Sequence, residues 1–276
     1  MLINKIIGLG ALAFSVSSFA VSDFSYLSSY ANPFWSSVDT QSKSIDCQLL
    51  TGENSKGVIV AGENENRTIK YITSYAAANW KQVSDPEIPV TFLAGENGKG
   101  AIVAGGYDAR TVKYMNSYSR NTWATLSQAP FEIQGLAGNN SKGPIIYNGR
   151  QVAYMNSYAN NQWKTLSQKP APFDIAGITG ENGKGAIVHS GSGNQIAYIT
   201  NYSNGLWNIL PTPIAGTITG ISGNNGSGLL VSYDSGELFY ITSYAAQNWQ
   251  LVDYRSSPQI DHLTGNNNNG PAICAN

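Results

Sequence analysis

Apolar and polar positions along the chain fall into short runs, and the runs recur. Within residues 133–166, Ile133 to Ala137 is a brief apolar run, Gly138 to Gly143 a polar turn, and Pro144 to Tyr147 a second apolar run. Asn148-Gly149 is a hairpin signal, Gln151 to Tyr158 is a third run, and Gln162 to Leu166 a fourth. Runs this short, bounded by Gly, Asn and Ser, predict strands, and four of them predict one small antiparallel sheet. The turn reads G-x-N-x-x-G. Its first glycine and its asparagine are residue types that tolerate positive φ, which reversing the chain requires.

The whole chain is this unit written out again. The turn glycine recurs as Gly52, Gly95, Gly138, Gly180, Gly223 and Gly265, at steps of 43, 43, 42, 43 and 42 residues. A second mark, Y-x-x-[SN]-Y with Trp five residues on, recurs at Tyr26/Tyr30/Trp35, Tyr71/Tyr75/Trp80, Tyr114/Tyr118/Trp123, Tyr154/Tyr158/Trp163, Tyr198/Tyr202/Trp207 and Tyr240/Tyr244/Trp249, which uses all 6 tryptophans. A fixed period of about 40 to 50 residues built from strands marks propeller blades. The ends of the chain are out of phase with the unit: Tyr26 to Val38 supplies only a third and a fourth strand, and Ile260 to Cys274 only a first and a second. Together they complete one blade. The predicted fold is all-β, a six-bladed β-propeller of four-stranded antiparallel blades, closed by a blade shared between the N- and C-termini.

Residues 1–20 depart from the pattern. Lys5 precedes an apolar run from Ile6 to Val16, and Ser18-Phe19-Ala20 places small residues where a signal peptidase reads. The expectation is a secretory signal peptide over 1–20, cleaved near Ala20, and a single propeller domain over 21–276 that is secreted or periplasmic. The apolar run is too short for a membrane span, and no other stretch approaches the roughly 20 residues one needs. In an oxidising compartment the only two cysteines, Cys47 and Cys274, are expected to form a disulfide. Cys274 lies in the second strand of the shared blade, and Cys47 takes the place held by Val90, Ile133, Ile175, Ile218 and Ile260 in the other units, so the bond would staple the seam. Two buried free thiols are the alternative.

Charged residues make up 12% of the chain and the net charge is −1, which leaves no broad basic surface for nucleic acid. Groups suited to catalysis are scarce. His189 and His262 sit in different units without a Cys, His or carboxylate at ligand spacing, and no G-x-S-x-G, H-E-x-x-H, Walker or Asp-rich calcium loop occurs. No catalytic activity, cofactor or metal site is expected. Glu53, Glu96 and Glu181 exchange with Asn139, Asn224 and Asn266 in the turn, which reads as a solvated position. Lys56, Lys99, Lys142 and Lys184 mark one rim, either as an anion-attracting ring or as solvated turn residues. Three positions before the turn glycine stand Leu49, Phe92, Gly135, Gly177, Gly220 and His262, which is not the charged cluster a catalytic channel would need.

The aromatic positions are the stronger candidates. With the third strand running through the motif, Tyr71, Thr73 and Tyr75 share a face, as do Tyr114, Asn116 and Tyr118. Tyr and Trp beside Asn, Ser and Thr suit a sugar, the ring face against C–H patches and the amides and hydroxyls against its hydroxyl groups. The candidate ligand-binding residues are Tyr75, Trp80, Tyr118, Trp123, Tyr158, Trp163, Tyr202, Trp207, Tyr244 and Trp249. Repeated weak sites gain avidity through multivalency. The rival reading makes the same residues the packing layer between blades.

Aromatic, Gly-marked units with a two-plus-two seam resemble repeat-built propeller lectins at the level of architecture, from Ser25 to Cys274. The S-x-D-x-G-x-T-W box of sialidase-type propellers and the W-D mark of WD propellers are absent. The resemblance implies sugar pockets between adjacent blades, and so a non-catalytic, multivalent lectin whose partners are glycans or glycoproteins. Two alternatives stand beside it. A secreted platform docking a host or envelope protein would break the sixfold pattern that a multivalent lectin preserves, and an enzyme would use the central channel.

Overall fold

Each G-x-N-x-x-G turn reverses the chain between the first and second strand of a blade, and the tyrosine-rich segment joins the third to the fourth. The computed structural model describes residues 23–275 apart from 31, 39–45, 54–56, 76–78, 97, 140–141, 167, 226–227, 255–259 and 267–269. Residues 1–20, where the signal peptide is expected, lie outside the described residues. Among the described residues there are six four-stranded antiparallel sheets. Blade 1 is β3 (Leu49–Glu53), β4 (Gly57–Gly62), β5 (Thr68–Ile72) and β6 (Trp80–Gln82). Blade 2 is β7 (Val90–Glu96), β8 (Gly100–Gly105), β9 (Thr111–Tyr114) and β10 (Ala124–Thr125). Blade 3 is β11 (Gly135–Asn139), β12 (Gly143–Asn148), β13 (Gln151–Tyr154) and β14 (Lys164–Thr165). Blade 4 is β15 (Gly177–Glu181), β16 (Gly185–His189), β17 (Ile196–Ile199) and β18 (Trp207–Leu210). Blade 5 is β19 (Ile218–Asn224), β20 (Gly228–Tyr233), β21 (Glu237–Ile241) and β22 (Trp249–Tyr254).

Blade 6 is the shared one. Its strands run in the order β23 (Ile260–Asn266), β24 (Gly270–Ala275), β1 (Asp23–Ser29), β2 (Asn32–Val38). The two ends meet as an antiparallel pair, with Phe24 opposite Cys274 and Tyr26 opposite Ala272. The first strands β3, β7, β11, β15, β19 and β23 neighbour one another in a closed ring. Cys47, just before β3, is bonded to Cys274 across a separation of 227 residues, with Cα atoms 6.4 Å apart. The disulfide therefore ties blade 6 to blade 1 and assigns the chain to an oxidising compartment.

The second strands read as unbroken apolar runs because neighbouring blades cover both of their faces. β4, β8 and β20 are buried at every residue. Where the first strand meets the second, side-chain volume is shared out between them. Gly135 faces Tyr147, Gly177 faces His189 and Gly220 faces Ser232, whereas Leu49 faces Ala61 and Phe92 faces Ala104. A Cβ on Gly135 would lie 2.2 Å from the Tyr147 ring, and one on Gly177 2.3 Å from His189. The position three before the turn glycine is thus a packing complement to the second strand.

Two local expectations change. The third strand of blade 3 ends at Tyr154 instead of Tyr158, and the fourth is only Lys164–Thr165, because the chain turns at 158–161 to carry the second tyrosine towards the neighbouring blade. The turn glycine does need positive φ, 110° at Gly138, but Asn182 and Asn225 are not among the positive-φ residues. Their role lies in the contact between blades.

Candidate functional site

The conserved-looking residues of the unit meet at the junctions between blades. The first tyrosine of one blade stacks on the second tyrosine of the next: Tyr71 on Tyr118, Tyr114 on Tyr158, Tyr154 on Tyr202 and Tyr26 on Tyr75, with ring centroids 3.9 to 4.2 Å apart. Tyr198 meets Tyr244 at 4.7 Å, and Tyr240 on Tyr30 completes the circuit across the seam at 4.0 Å. Tyr71 and Tyr75 therefore face opposite neighbours. They do not share a strand face, since β5 stops at Ile72. Burial, with the stacked partner adding to it, pushes the hydroxyls of Tyr75, Tyr118, Tyr158, Tyr202 and Tyr244 well above the ordinary phenol range.

The tryptophans reach back the other way. Trp123 donates its indole N–H to the Ser84 carbonyl at 2.8 Å, Trp163 to Ser127 at 2.9 Å, Trp207 to Lys169 at 3.2 Å and Trp249 to Pro211 at 2.8 Å, each in the preceding blade. Trp80 packs with Tyr75 on the buried cluster that holds Phe24 and Val38. Asn121 and Asn161 bridge the same junctions, their side-chain oxygens accepting from the amides of Ser84 and Ser127 at 2.7 Å. On the inner side the turn asparagine acts as a latch. Asn182 donates to the carbonyls of Lys142 and Met155 in blade 3 at 3.1 and 2.5 Å, and Asn225 to those of Lys184 and Ile199 in blade 4, both at 2.8 Å.

The axis holds a cavity of about 150 Å³, lined by the first strands of all blades, including Glu96, Asn139, Glu181 and Asn224. Opposite the turn glycines Gly138 and Gly265 stand Pro144 and Pro271. Proline has no N–H, so it fits only where the pair exchanges no backbone hydrogen bonds, and the glycine amide and carbonyl are turned away from the second strand towards the axis. Neighbouring first strands cap these carbonyls with hydroxyls. Thr51 donates to Gly95 at 3.4 Å, Thr179 to Gly223 at 3.1 Å, Ser222 to Gly265 at 2.8 Å and Thr264 to Gly52 at 2.7 Å. In blades 2 and 3 the same place is Ala94 and Ala137, so Gly138 and Gly180 receive no such hydroxyl.

Two of the turn positions are buried, whereas Glu181 and Asn224 are half-buried. Glu96 is 5% exposed and Asn139 9%. The rim lysines sit on them, Lys99 3.0 Å from Glu96 and Lys184 3.6 Å from Glu181, with Lys184 also 3.5 Å from the Asn224 amide oxygen. Lys99 and Lys184 are thereby paired within the wall, and Lys56 lies outside the described residues. His189 is buried away from the channel lining, its Nδ1 accepting the Gly191 N–H at 3.1 Å.

The outer rim is where the sixfold pattern fails. Phe34 on β2, Leu206 beside β18, Ile209 on β18 and Leu251 on β22 are 77, 64, 55 and 56% exposed. They belong to three successive blades, 4, 5 and 6. The equivalent positions in blades 1 to 3 are all polar, Gln82, Thr125 and Thr165 two residues after the tryptophan and Asn79, Thr122 and Gln162 one before it, whereas in blades 5 and 6 only one of the two is polar, Asn248 and Ser37; the exposed Tyr107 of blade 2 lies between β8 and β9, off the edge strand. The edge strands differ as well. β6, β10 and β14 have 3, 2 and 2 residues, with the exposed Lys81 and Lys164 among them, whereas β2, β18 and β22 have 7, 4 and 6.

No family model matches the chain, and no curated protein matches it. Solved structures do. A streptogramin B lyase superimposes with a TM-score of 0.56 at 15% identity, over 81% of this chain and 74% of that one. Virginiamycin B lyase from Staphylococcus aureus gives 0.53 at 12% identity, over 88% and 85%, and U3-55K gives 0.53 at 9%, over 80% and 92%. The shared feature is the propeller fold. At these identities the likeness is one of scaffold alone, on which unrelated functions are carried.

The aromatic candidates are thus placed together at the junctions, half-buried, with the Tyr158 and Tyr244 hydroxyls on turn carbonyls and four of the five indole N–H groups, all but that of Trp80, on carbonyls of the preceding blade. From sequence the channel acids read as solvated turn residues, and the apolar rim was not singled out. The rim had a signal available: Ile209 and Leu251 break an otherwise polar column when the units are aligned on tryptophan.

Proposed function

We propose that the protein is a non-catalytic, extracytoplasmic scaffold that docks a partner protein on the outer rim of blades 4 to 6. The observation that carries this reading is the loss of sixfold symmetry there. Blades 1 to 3 blunt their outer edges with short strands, lysines and polar residues, the usual devices against unwanted pairing. Blades 4 to 6 offer longer edge strands and large exposed apolar side chains, an arrangement suited to an extended segment that adds to a sheet edge. Against catalysis, Glu96 and Glu181 are neutralised by lysines. His189, buried and with its pKa lowered to about 4, is neutral at physiological pH.

Cross-linking mass spectrometry on the mature protein in extracts of the cells that make it tests the assignment. Cross-links to the partner should map to β18, β22 and β2, disappear in Leu251→Lys and Ile209→Lys, and persist in Gln82→Lys and Thr165→Lys. Equal loss with both pairs, or with neither, overturns it. A glycan array reading several equivalent sites per chain, weakened when Trp123 is replaced, would favour the multivalent lectin instead.

A further inference from the structure

We propose that the axial channel is a binding site for one small, neutral polyhydroxylated molecule, a sugar or polyol, seated against the wall formed by blades 2, 3 and 4. The repeats themselves supply the template. In four places the chain satisfies the inward-facing glycine carbonyl with a hydroxyl, from Thr51, Thr179, Ser222 and Thr264. The two places that carry a methyl group instead, Ala94 and Ala137, are in adjacent blades, so the carbonyls of Gly138 and Gly180, which receive no hydroxyl from the described residues, lie side by side on one wall. A ligand with neighbouring hydroxyl groups supplies there what threonine supplies elsewhere.

The polar groups of that wall, set beside the aliphatic side chains of Leu93, Leu136 and Ile178, fit the same chemistry. Glu96 and Glu181 border it, and a carboxylate oxygen that already holds one donor can accept a second from a hydroxyl. The inward-facing strand N–H groups donate to hydroxyl oxygens. Lys99 and Lys184 already balance Glu96 and Glu181, which favours a neutral ligand over a cation. A space of about 150 Å³ holds several waters, or one solute in their place. Among the described residues the channel lining includes no aromatic side chain, so recognition rests on hydrogen bonds, and one site per chain is built in place of a repeated one. This site is separate from the apolar rim and does not depend on it.

The test is calorimetric titration of the mature protein with glycerol, myo-inositol, glucose, galactose, mannose, fucose and N-acetylglucosamine, and in parallel with calcium chloride. The variants are Ala94→Thr, Ala137→Thr and the pair. These place in blades 2 and 3 a residue that blades 1, 4 and 6 already carry, so folding is retained, and a thermal melt checks that the new hydroxyls reach Gly138 and Gly180. The expected result is one saturable site per chain for at least one polyol. Affinity should fall at least about tenfold in the double variant, whose melting temperature rises. Absence of saturable heat across the panel, a response to calcium alone, several sites per chain, affinity unchanged by the fillings, or a melting temperature that does not rise would each overturn the proposal.

Discussion

Buried side chains at equivalent positions of the repeat differ in ways that the neighbouring strand explains. Tyr147 and His189 both fill the space that Gly135 and Gly177 leave, but only histidine titrates near neutrality. Burial lowers the His189 pKa to about 4, from an ordinary 6.5. The unfolded chain therefore binds the proton more readily, and stability is full above about pH 6.5 and falls as the pH drops towards 4. The shift corresponds to about 3 kcal/mol. Burial also lowers His262, partly opposed by Asp261, and so adds a contribution of the same sign. Denaturant titrations at pH 7 and pH 4 should show His189→Tyr losing about 3 kcal/mol less than the parent over that interval. An identical loss in both proteins would mean that His189 is protonated without cost.

The same complementarity gives a second test at this scale. Gly135→Leu should cost about 3 kcal/mol by overpacking against Tyr147, and Tyr147→Ala a similar amount by leaving a cavity. The double variant reproduces the Leu49/Ala61 arrangement of blade 1 and should recover most of the loss. A double-mutant cycle by denaturant unfolding measures this, and additive losses would refute the volume exchange.

At the scale of the element, a blade is held by its own sheet and also by what it sends into its neighbours. Asn182 shows the design: one amide donates to two carbonyls of blade 3, one in the preceding turn and one at the end of β13. Asn182→Ala should leave both carbonyls without a donor and cost about 2 to 3 kcal/mol. Asn182→Asp keeps the shape but has nothing to donate, so it should cost at least as much, whereas a merely space-filling role would leave it harmless; thermal unfolding of the two variants separates these cases.

The strand order, the blade count and the seam were legible because a spacing period survives whatever the side chains do. The direction of each motif residue was not. Tyr71 and Tyr75 are four apart and look like one strand face, yet β5 ends between them and they stack on opposite neighbours. The Glu/Asn exchange looked solvated because either residue accepts hydrogen bonds. Only the fold reveals that position 96 is buried at the axis beneath Lys99. Residues repeated in every unit serve the turns and the junctions, and Ala94, Ala137, Ile209 and Leu251 are among those that depart from the repeat.

For the whole molecule the ring is a closed object made from an open chain, and its weak point is where the ends meet. Elsewhere the second and third strands of a blade are joined by a hairpin, but in blade 6 the corresponding pair, β24 and β1, has no such connection. Phe24 and Leu27, each 1% exposed, anchor β1 by packing, and the Cys47–Cys274 bond holds β24 to the entrance of blade 1. A bond that closes a loop of 227 residues restrains the unfolded chain by about 5 kcal/mol in the chain-entropy model. That is comparable with the whole stability of many domains. The variant with both Cys47→Ala and Cys274→Ala should therefore unfold at markedly lower denaturant concentration. If the seam is the weak point, hydrogen exchange in that variant should accelerate first at Phe24–Leu27 and Ala272–Cys274, while the amides of β12 and β16 keep their protection. Uniform acceleration around the ring would show instead that the blades open together and that the disulfide acts only on the unfolded state.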